Sequence, residues 1–455
     1  MMSRKAAIGP SDFANAGDAF AIHSQRVVLP DAIAPACVVV RQGVITEILP
    51  SVNDFEVPVI DVGELAILPG LIDPHVHFND PGRDDWEGFQ SGTLAAAAGG
   101  ITTIVDMPLN SSPVTTTASA MAAKVAAASG RIAIDVGLHG GLVPENAHLV
   151  AELIDAGVIG IKAFLCHSGI DDFPNVSREH LEVAMPQLAD AGVVLLAHAE
   201  IATPVPPMPD PRSYRDYLAS RPPRFERDAI EMLIDLCRQT GCRTHIVHLA
   251  DAGSVDRLQA ARAAGLPITV ETCPHYLTFT AEQIADGQTQ FKCAPPIRDT
   301  KNREGLWKAL RDGVIDFIAS DHSPCPPTMK ALDSRRFDQA WGGISSVQLG
   351  LSAVWTEASQ RGFSLQDVAR WMSHSPGSVF GIGAGIAVGN PASLVIFDPD
   401  ATFCVDAAQL FHRHRITPYD GRVMRGAVQA TLIRGKPAVT GQGKIIFRSR
   451  DRHSL

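Results

Sequence analysis

The apolar residues of this chain fall into short runs separated by stretches with helical periodicity. Strands are predicted for eight runs, LPGLIDPHVHF, GITTIVDMP, IAIDVGLHGGL, GVIGIKAFL, VVLLAHAE, THIVHLA, LPITVETCPHYL and DFIASDHSP. Helices are predicted between them, for TTTASAMAAKVAAAS, NAHLVAELIDA, SREHLEVAMPQLADA, ERDAIEMLIDLCRQT, AGSVDRLQAARAA and NREGLWKALRDG. Strands that alternate with helices imply a parallel sheet, and this number of units over about 250 residues is typical of a (β/α)8 barrel. The sequence therefore predicts an α/β protein built on a TIM barrel.

The two ends of the chain have a different pattern, with short alternating apolar runs and glycine turns. Such runs are typical of a β-sandwich. Because they flank the barrel, we expect one small sandwich formed jointly by the N-terminal and C-terminal segments. The predicted boundaries are 1–65 for its first part, 66–385 for the barrel and 386–455 for its second part. A proline-rich insertion at 201–225 is predicted to form a rim loop with a short helix that helps to cover the site.

Composition narrows the classes of partner. The formal net charge is -10 and the pI is about 5.9, so no basic field favours nucleic acid or an anionic membrane. A small-molecule substrate is the expected partner. No apolar run reaches the ~18 residues of a membrane span, and the first residues lack the apolar core of a signal peptide. The eight cysteines have no regular spacing, which favours reduced thiols and a cytoplasmic location.

Polar side chains that suit metal binding occur at the ends of several predicted strands. His75 and His77 are two residues apart, so both can point to one place at the end of their strand. For this pair alone, histidines at the barrel rim without a ligand role are an equal alternative. Four further groups end other strands, namely Lys162, His198, His248 and Asp321. Because barrel enzymes keep their sites at this end of the strands, the whole set indicates a functional site.

Lys162 is unexpected among metal ligands, because a buried ammonium is costly and repels cations. With this lysine, the set resembles that of the cyclic amidohydrolases of the dihydroorotase, hydantoinase and allantoinase group. The resemblance implies that Lys162 is carboxylated on its side-chain nitrogen and bridges two divalent metal ions. It also implies that His75, His77 and Asp321 hold one ion, and that His198 and His248 hold the other. Zinc is the expected metal, and iron, cobalt and manganese also suit these ligands.

The resemblance extends along nearly the whole chain. NDPGRDDWEG, GGITTIVDMPLNSSPVTT, KAFLCHSGIDDFPNV, ETCPHYLTF, KCAPPIRD, ASDHSPCPP and ITPYDGRVMRGAV are similar to allantoinase motifs. Asn79 stands where dihydroorotases carry an arginine that pairs with a substrate carboxylate, and allantoin has no carboxylate. Asn110, in MPLN, is the second discriminating residue. It would contact the substrate, or it caps the turn after the second strand.

The resemblance implies hydrolysis of the hydantoin ring of allantoin to allantoate. Asp321 would take a proton from the attacking water and pass it to the departing ring nitrogen. His167 would support the developing oxyanion, or it is only a polar residue at the start of a loop. The resemblance further implies that the substrate pocket is lined by Ser168, Cys293, Ala294, Pro295 and Gly343. Gly343 and the preceding Gly342 could equally begin the last barrel helix. It also implies a homo-oligomer, usually a tetramer.

Two alternatives remain at this stage. Another cyclic-amide hydrolase, such as a hydantoinase, a dihydropyrimidinase or a dihydroorotase, would share the ligands and differ in the ring that it accepts. A non-catalytic scaffold of the dihydropyrimidinase-like type would lack metal ligands, whereas this chain retains all of them. Among the remaining polar residues, His245 is expected to be structural, and His275 is expected to support the ligands from behind or to take part in packing. The carboxylates of DDWEG are expected to lie at a solvated helix N-terminus.

Overall fold

The computed structural model describes residues 8–50 and 56–448. Its strands, in chain order, are β1 Ala19–Val28, β2 Ile33–Arg41, β3 Val44–Leu49, β4 Val59–Asp61, β5 Ala66–Pro69, β6 Leu71–Val76, β7 Ile101–Asp106, β8 Asp135–Leu138, β9 Gly140–Gly141, β10 Gly160–Phe164, β11 Val194–His198, β12 Thr244–Ile246, β13 Ile268–Thr272, β14 Phe317–Ile318, β15 Leu394–Cys404, β16 Val423–Ile433 and β17 Lys436–Pro437.

The α-helices, in the same order, are α1 Pro10–Ala14, α2 Phe89–Ala98, α3 Ala118–Ala128, α4 Val150–Asp155, α5 Arg178–Ala191, α6 Tyr214–Ser220, α7 Arg224–Thr240, α8 Val255–Ala263, α9 Pro274–Thr278, α10 Thr300–Arg311, α11 Gly350–Gln360, α12 Leu365–Ala369 and α13 Ser375–Phe380. Each run predicted as a barrel strand contains a strand, and each stretch predicted as a helix contains a helix. The insertion at 201–225 contains the short helix α6, as predicted. Among the described residues, no helix is long and apolar enough to cross a bilayer.

The strands β6 to β14 are parallel and follow one another around a barrel. Pairing runs from β6 through β7 to β8, and from β9 through β10, β11, β12 and β13 to β14. The gap between β8 and β10 is bridged by the bond from the Ile159 N–H to the Leu138 carbonyl, at 2.9 Å. The ring closes where Val76 pairs with His322, and the His77 N–H donates to the His322 carbonyl at 2.8 Å. The (β/α)8 barrel is therefore confirmed.

The barrel strands are mostly apolar because both of their faces are buried. Every residue of β7, ITTIVD, is buried. The helices around them are apolar on one side only, and α7 shows this by burying Ile230, Leu233 and Leu236. The left-handed residue Gly241, at φ 67°, ends α7 in the conformation that glycine adopts most readily. Periodicity alone thus places the strands inside and the helices outside.

Strands from the two ends of the chain form one hydrogen-bonded sheet, in the order β17, β16, β15, β5, β1, β2, β3, with β4 beside β1. The N-terminal and C-terminal segments meet where β5 pairs antiparallel with β15. Their shared core includes Phe20, Ile22, Val38, Ile67 and Leu394. Both ends therefore build the small β-domain together. The exact boundaries that we predict for it stay a prediction, and parts of them, 1–7, 51–55 and 449–455, lie outside the described residues.

A C-terminal segment, 406–421, folds back over the barrel. The Thr417 hydroxyl donates to the Ser345 carbonyl at 2.7 Å. The Arg413 N–H donates to the carboxylate of Glu87 at 3.1 Å, and that carboxylate is fully buried. The predicted solvated position of this DDWEG carboxylate is therefore wrong. The returning chain covers it, a contact between residues more than three hundred positions apart.

His412, in the same segment, is expected to make the fold sensitive to acid. Its ring is fully buried 4.9 Å from that of His322, and burial lowers its pKa to about 3. A histidine in the unfolded chain titrates near pH 6.5. The contribution of neutral His412 to the free energy of unfolding is therefore complete above that pH and is lost as the pH falls toward 3. Between pH 7.5 and pH 5, the free energy of unfolding of the His412→Phe protein is expected to fall by about 2 kcal/mol less than that of the unaltered protein. Urea unfolding at both pH values measures the difference.

The control for this prediction is His148→Phe, which changes an exposed histidine. It should lose as much stability on acidification as the unaltered protein. Equal acid losses for the His412→Phe protein and the control would contradict the prediction.

Candidate metal centre and substrate cavity

The six side chains predicted as metal ligands lie together at the carboxyl end of the barrel. They belong to the ends of β6, β10, β11, β12 and β14 or to the residues directly after them, and they are His75, His77, Lys162, His198, His248 and Asp321. All of them line one cavity of about 810 Å³. Parallel strands bring their carboxyl ends to one side of a barrel, so residues far apart in the chain share this cavity.

One half of this cluster is compact. The Nε2 atoms of His75 and His77 lie 3.2 and 3.4 Å from one carboxylate oxygen of Asp321. The ligand atoms of the three residues lie within 4.8 Å of one another. Burial lowers the pKa of His77, which favours the neutral imidazole whose lone pair a metal ion requires. The arrangement suits one divalent ion held by two imidazoles and a carboxylate.

The second half of the cluster contains histidines from neighbouring strands. The rings of His198 and His248 lie 4.6 Å apart, and the ring of His248 lies 5.4 Å from that of His75. Burial lowers the pKa of His248 well below its usual value, and its Nδ1 has no hydrogen-bond partner. Buried polar atoms are seldom left without a partner. This unpaired nitrogen fits a metal ligand.

Lys162 lines the same cavity as both halves of the cluster. It is fully buried in β10, and its Nζ has no hydrogen-bond partner. Burial lowers its pKa to about 8, which increases the share of neutral amine at physiological pH. A neutral amine is the form that reacts with carbon dioxide. The residues present therefore fit two divalent ions bridged by a carboxylated lysine.

The backbone is strained where it presents several of these groups. His248 and Asp321 have φ angles of 41° and 46°, and Asn79 and Asn110 have φ angles of 65° and 68°. Left-handed backbone is rare outside glycine and costs about 1 to 3 kcal/mol per residue. Such strain concentrates at functional sites. The surrounding barrel holds His248, Asp321 and Asn110 in conformations that bring them to the cavity wall.

Two buried glutamates support the histidines from behind, and neither was assigned a role from the sequence. Glu200 accepts a hydrogen bond from His198 Nε2 at 2.8 Å and is paired with Arg221. Glu271 accepts hydrogen bonds from His75 Nδ1 and from His245 Nε2, the latter at 3.1 Å. Only Glu200 has a local signal, because it follows a ligand by two residues in HAE. Carboxylates of this kind fix the tautomer and orientation of metal-binding histidines.

Two further groups of metal-capable side chains share residues with the cluster. Cys166 forms one with His198 and Glu200, and Cys273 forms the other with His275 and Asp321. Both ring nitrogens of His275 are buried without a partner. All eight cysteines of the chain are unpaired thiols.

The residues predicted to contact substrate are placed in two groups. Asn110, Ser168 and Ala294 line the cavity. The Asn110 amide lies 3.5 Å from the Nδ1 of His77, and the Ser168 hydroxyl donates to the Phe173 carbonyl at 2.7 Å within its own loop. The second group, which does not line the cavity, consists of Asn79, Cys293, Pro295 and Gly343.

These four residues lie behind the cavity wall. Asn79 is fully buried, and both atoms of its amide lack a partner. The carbonyls of Cys293 and Pro295 accept hydrogen bonds at 2.6 Å from Tyr217 and Tyr276. The Gly343 carbonyl accepts from the buried Lys330. Tyrosine and lysine side chains therefore hold the backbone carbonyls of Cys293, Pro295 and Gly343.

His167 lies at the mouth of the cavity. Its side chain is 63% exposed, and its Nε2 lies 3.3 Å from a carboxylate oxygen of Asp171. Its Nδ1 accepts the Gly169 N–H at 3.1 Å. An oxyanion role therefore requires this ring to exchange contacts within its own loop for contacts with substrate.

Two rim segments cover the cavity from above. The predicted insertion meets the segment that follows Asp321, where the rings of Tyr217 and Phe337 stack at 5.5 Å. The Phe337 N–H donates to the Pro211 carbonyl at 2.7 Å. Tyr217, Phe337 and Trp341 also line the cavity. The insertion therefore helps to enclose the site, as predicted.

Comparison with known proteins identifies the family of the chain. The model of the Amidohydrolase family matches residues 66–204 and 223–438. The chain belongs to the amidohydrolase family, and the resemblance inferred from its motifs is confirmed.

Within that family, an allantoinase from Streptomyces avermitilis is 46% identical over 91% of this chain and 94% of its own. An allantoinase from Arabidopsis thaliana is 45% identical over 94% of this chain and 89% of its own. Among solved structures, an L-hydantoinase (dihydropyrimidinase) from Arthrobacter aurescens superimposes with a TM-score of 0.87 at 30% identity. That likeness covers 94% of this chain and 99% of the solved one.

Proposed function

We propose that this chain is a metal-dependent hydrolase that opens the five-membered hydantoin ring of allantoin to give allantoate. The protein is an enzyme of the class that hydrolyses carbon–nitrogen bonds in cyclic amides. The observation that carries the proposal is its identity of 46% to an allantoinase over nine-tenths of both chains. The clustered side chains at the barrel end supply the chemistry that such a reaction needs.

The metal ions in this proposal are two divalent cations, with zinc the first candidate. His75, His77 and Asp321 would hold one, His198 and His248 the other, and Lys162 would bridge both after carboxylation. When bound, such ions polarise a carbonyl and lower the pKa of water toward neutrality. Histidine and carboxylate ligands also suit iron, cobalt and manganese.

Asp321 is the proposed proton carrier. Burial raises its pKa, but the neighbouring His75 and His77 outweigh this effect and hold it at about 2. The carboxylate is therefore ionised at neutral pH and can accept a proton from the attacking water. A bond forms between that water oxygen and the ring carbonyl carbon, and the bond from this carbon to the ring nitrogen breaks. Asp321 returns the proton to the departing nitrogen, and the new carboxylic acid releases its remaining proton to solvent, so the products are a carboxylate and a ureido group.

The remaining predicted site residues form two groups, those that line the cavity and those that do not. Asn110, Ser168 and Ala294 are proposed to contact the substrate directly, and His167 is proposed to reach the developing oxyanion from the cavity mouth. Asn79, Cys293, Pro295 and Gly343 lie behind the lining, and we propose that they shape it. A homotetramer belongs to the same proposal and is supported by the family resemblance alone. A cytoplasmic location is also proposed, and the unpaired state of the cysteines supports it.

Purified protein loaded with zinc and bicarbonate is expected to convert allantoin to allantoate. The competing substrates are hydantoin and dihydrouracil, because the solved structure with a TM-score of 0.87 is a hydantoinase. We expect kcat/KM for allantoin to exceed the values for both competitors by at least about tenfold, since one misplaced ring substituent costs 1 to 3 kcal/mol. Allantoate is measured by a coupled colour reaction, and the other products by chromatography. A preference for hydantoin or dihydrouracil would overturn the substrate assignment.

A further inference from the structure

Glu271 is a fully buried carboxylate in β13, and both of its oxygens are in use. Oε1 accepts a hydrogen bond from His75 Nδ1 and another from the backbone N–H of His248, at 3.2 Å. Oε2 accepts from His245 Nε2 at 3.1 Å. One side chain therefore contacts two of the proposed ligands, which belong to different strands.

The contact with His75 determines which ring nitrogen carries the proton. In a neutral imidazole, donation from Nδ1 to Glu271 leaves the lone pair on Nε2, which lies 3.2 Å from the Asp321 carboxylate at the cavity. The ring is thus held in the tautomer and orientation that a metal ion requires. A metal-binding histidine without such a partner would have to be ordered at the moment of binding.

The contact with His248 concerns the backbone. His248 adopts a φ of 41°, a conformation that costs a non-glycine residue about 1 to 3 kcal/mol. Its N–H is held by the Glu271 carboxylate, which favours this strained turn over relaxed alternatives. This turn places the imidazole of His248 at the cavity.

His245 keeps Glu271 in place from the other side. Its Nδ1 lies 2.8 Å from the Thr269 hydroxyl, and its ring stacks on Phe317 at 4.9 Å. The sequence predicts a structural role for His245, and these contacts show that it holds Glu271. Because His245 holds the carboxylate, Glu271 is kept where it can contact both His75 and the backbone of His248.

We propose that Glu271 is a positioning residue that preorganises both halves of the metal centre at once. This inference rests on the proposed assignment of His75 to one ion and His248 to the other. Glu200 provides the contrast, because it holds His198 alone, through a 2.8 Å bond, and is itself held by Arg221. Loss of Glu271 should therefore weaken two metal sites, and loss of Glu200 should weaken one.

The test compares Glu271→Gln, Glu200→Gln and a control, Glu226→Gln, by zinc binding alone. Glu226 is a matched control because it is also a buried carboxylate, paired with Arg298 and bonded to backbone N–H groups. Each protein is stripped of metal and titrated with Zn²⁺ against a chromophoric chelator. We expect Glu271→Gln to weaken both zinc sites by about 10- to 100-fold, Glu200→Gln to weaken one, and Glu226→Gln to weaken neither.

Thermal unfolding of the metal-free proteins separates positioning from general damage. A merely structural role would lower the melting temperature of the Glu271→Gln and Glu226→Gln proteins alike without a selective effect on zinc. Two unchanged zinc sites in folded Glu271→Gln protein, or a loss confined to one site, would overturn the proposal. Zinc binding is measured without allantoin, so an inactive protein that still shows the expected pattern would contradict only the proposed substrate.

Discussion

Replacing Lys162 with alanine is expected to lower kcat/KM for allantoin by at least about a thousandfold, because bound metal ions lower the activation free energy by several kcal/mol. Under the proposed assignment, the variant lacks the carboxylate that would bridge the two ions. Zinc content, measured on the purified protein by atomic spectroscopy, should fall from two ions to one or fewer. Turnover and metal content are therefore expected to fall together.

The same substitution is expected to leave the metal-free protein as stable as the unaltered one. Lys162 is fully buried, and its amine has no hydrogen-bond partner, so removing it deletes an unpaired polar group. Chemical unfolding after removal of metal measures this. A folded variant that kept two zinc ions would contradict the proposed bridging role.

Lys124→Met is the matched control, since Lys124 is also a fully buried lysine. Its amine is paired with Asp106 at 2.5 Å and donates to the Met107 carbonyl at 2.6 Å. Its removal leaves a buried carboxylate uncompensated, which costs about 3 to 5 kcal/mol. We expect this variant to be destabilised yet to keep both zinc ions. The two lysines should thus affect stability and metal content in opposite ways.

Asp321→Asn is the second large effect that we expect, with kcat reduced by about a thousandfold. Asparagine keeps the shape of the side chain and one oxygen that can ligate a metal, but it cannot take a proton from water. Zinc binding should therefore persist while turnover is lost. Steady-state kinetics on allantoin, with metal content measured on the same sample, distinguish these effects. Retained turnover would show that another group carries the proton.

Asp73→Asn is the control for that experiment. Asp73 is a buried carboxylate at the same end of the barrel, where it accepts the N–H groups of His75 and Ser320 at 3.2 and 3.1 Å, but it does not line the cavity. Its replacement should lower the melting temperature and leave kcat within about tenfold. A similar loss of kcat in both variants would mean that loss of any nearby carboxylate disables the site.

Much of the site could be predicted because it is tied to the period of the strands. A strand that is buried on both faces reads as a continuous apolar run, so a polar residue at its end is conspicuous. His198 and Lys162 are visible for this reason, and parallel strands require such ends to meet. The unusual lysine then pointed to the family.

Other features depend on contacts that no local pattern encodes. Glu271 lies inside a strand, and the sequence gives no sign that its carboxylate reaches His75, 196 positions earlier. Glu87 was expected in solvent and is buried by Arg413 and its neighbours from the far end of the chain. The cavity wall likewise separates Asn110, which lines it, from Asn79, which lies behind it.

The sequence by itself determined the alternation of strands and helices, the joint β-domain and the identities of the strand-end side chains, because these follow from local periodicity and residue type. The tertiary structure alone decided which carboxylates support the histidines, which predicted contacts reach the cavity and how the rim encloses it. These depend on the distances between segments that are remote in the chain. Such distances are set by packing of the whole barrel, which no short stretch of sequence specifies.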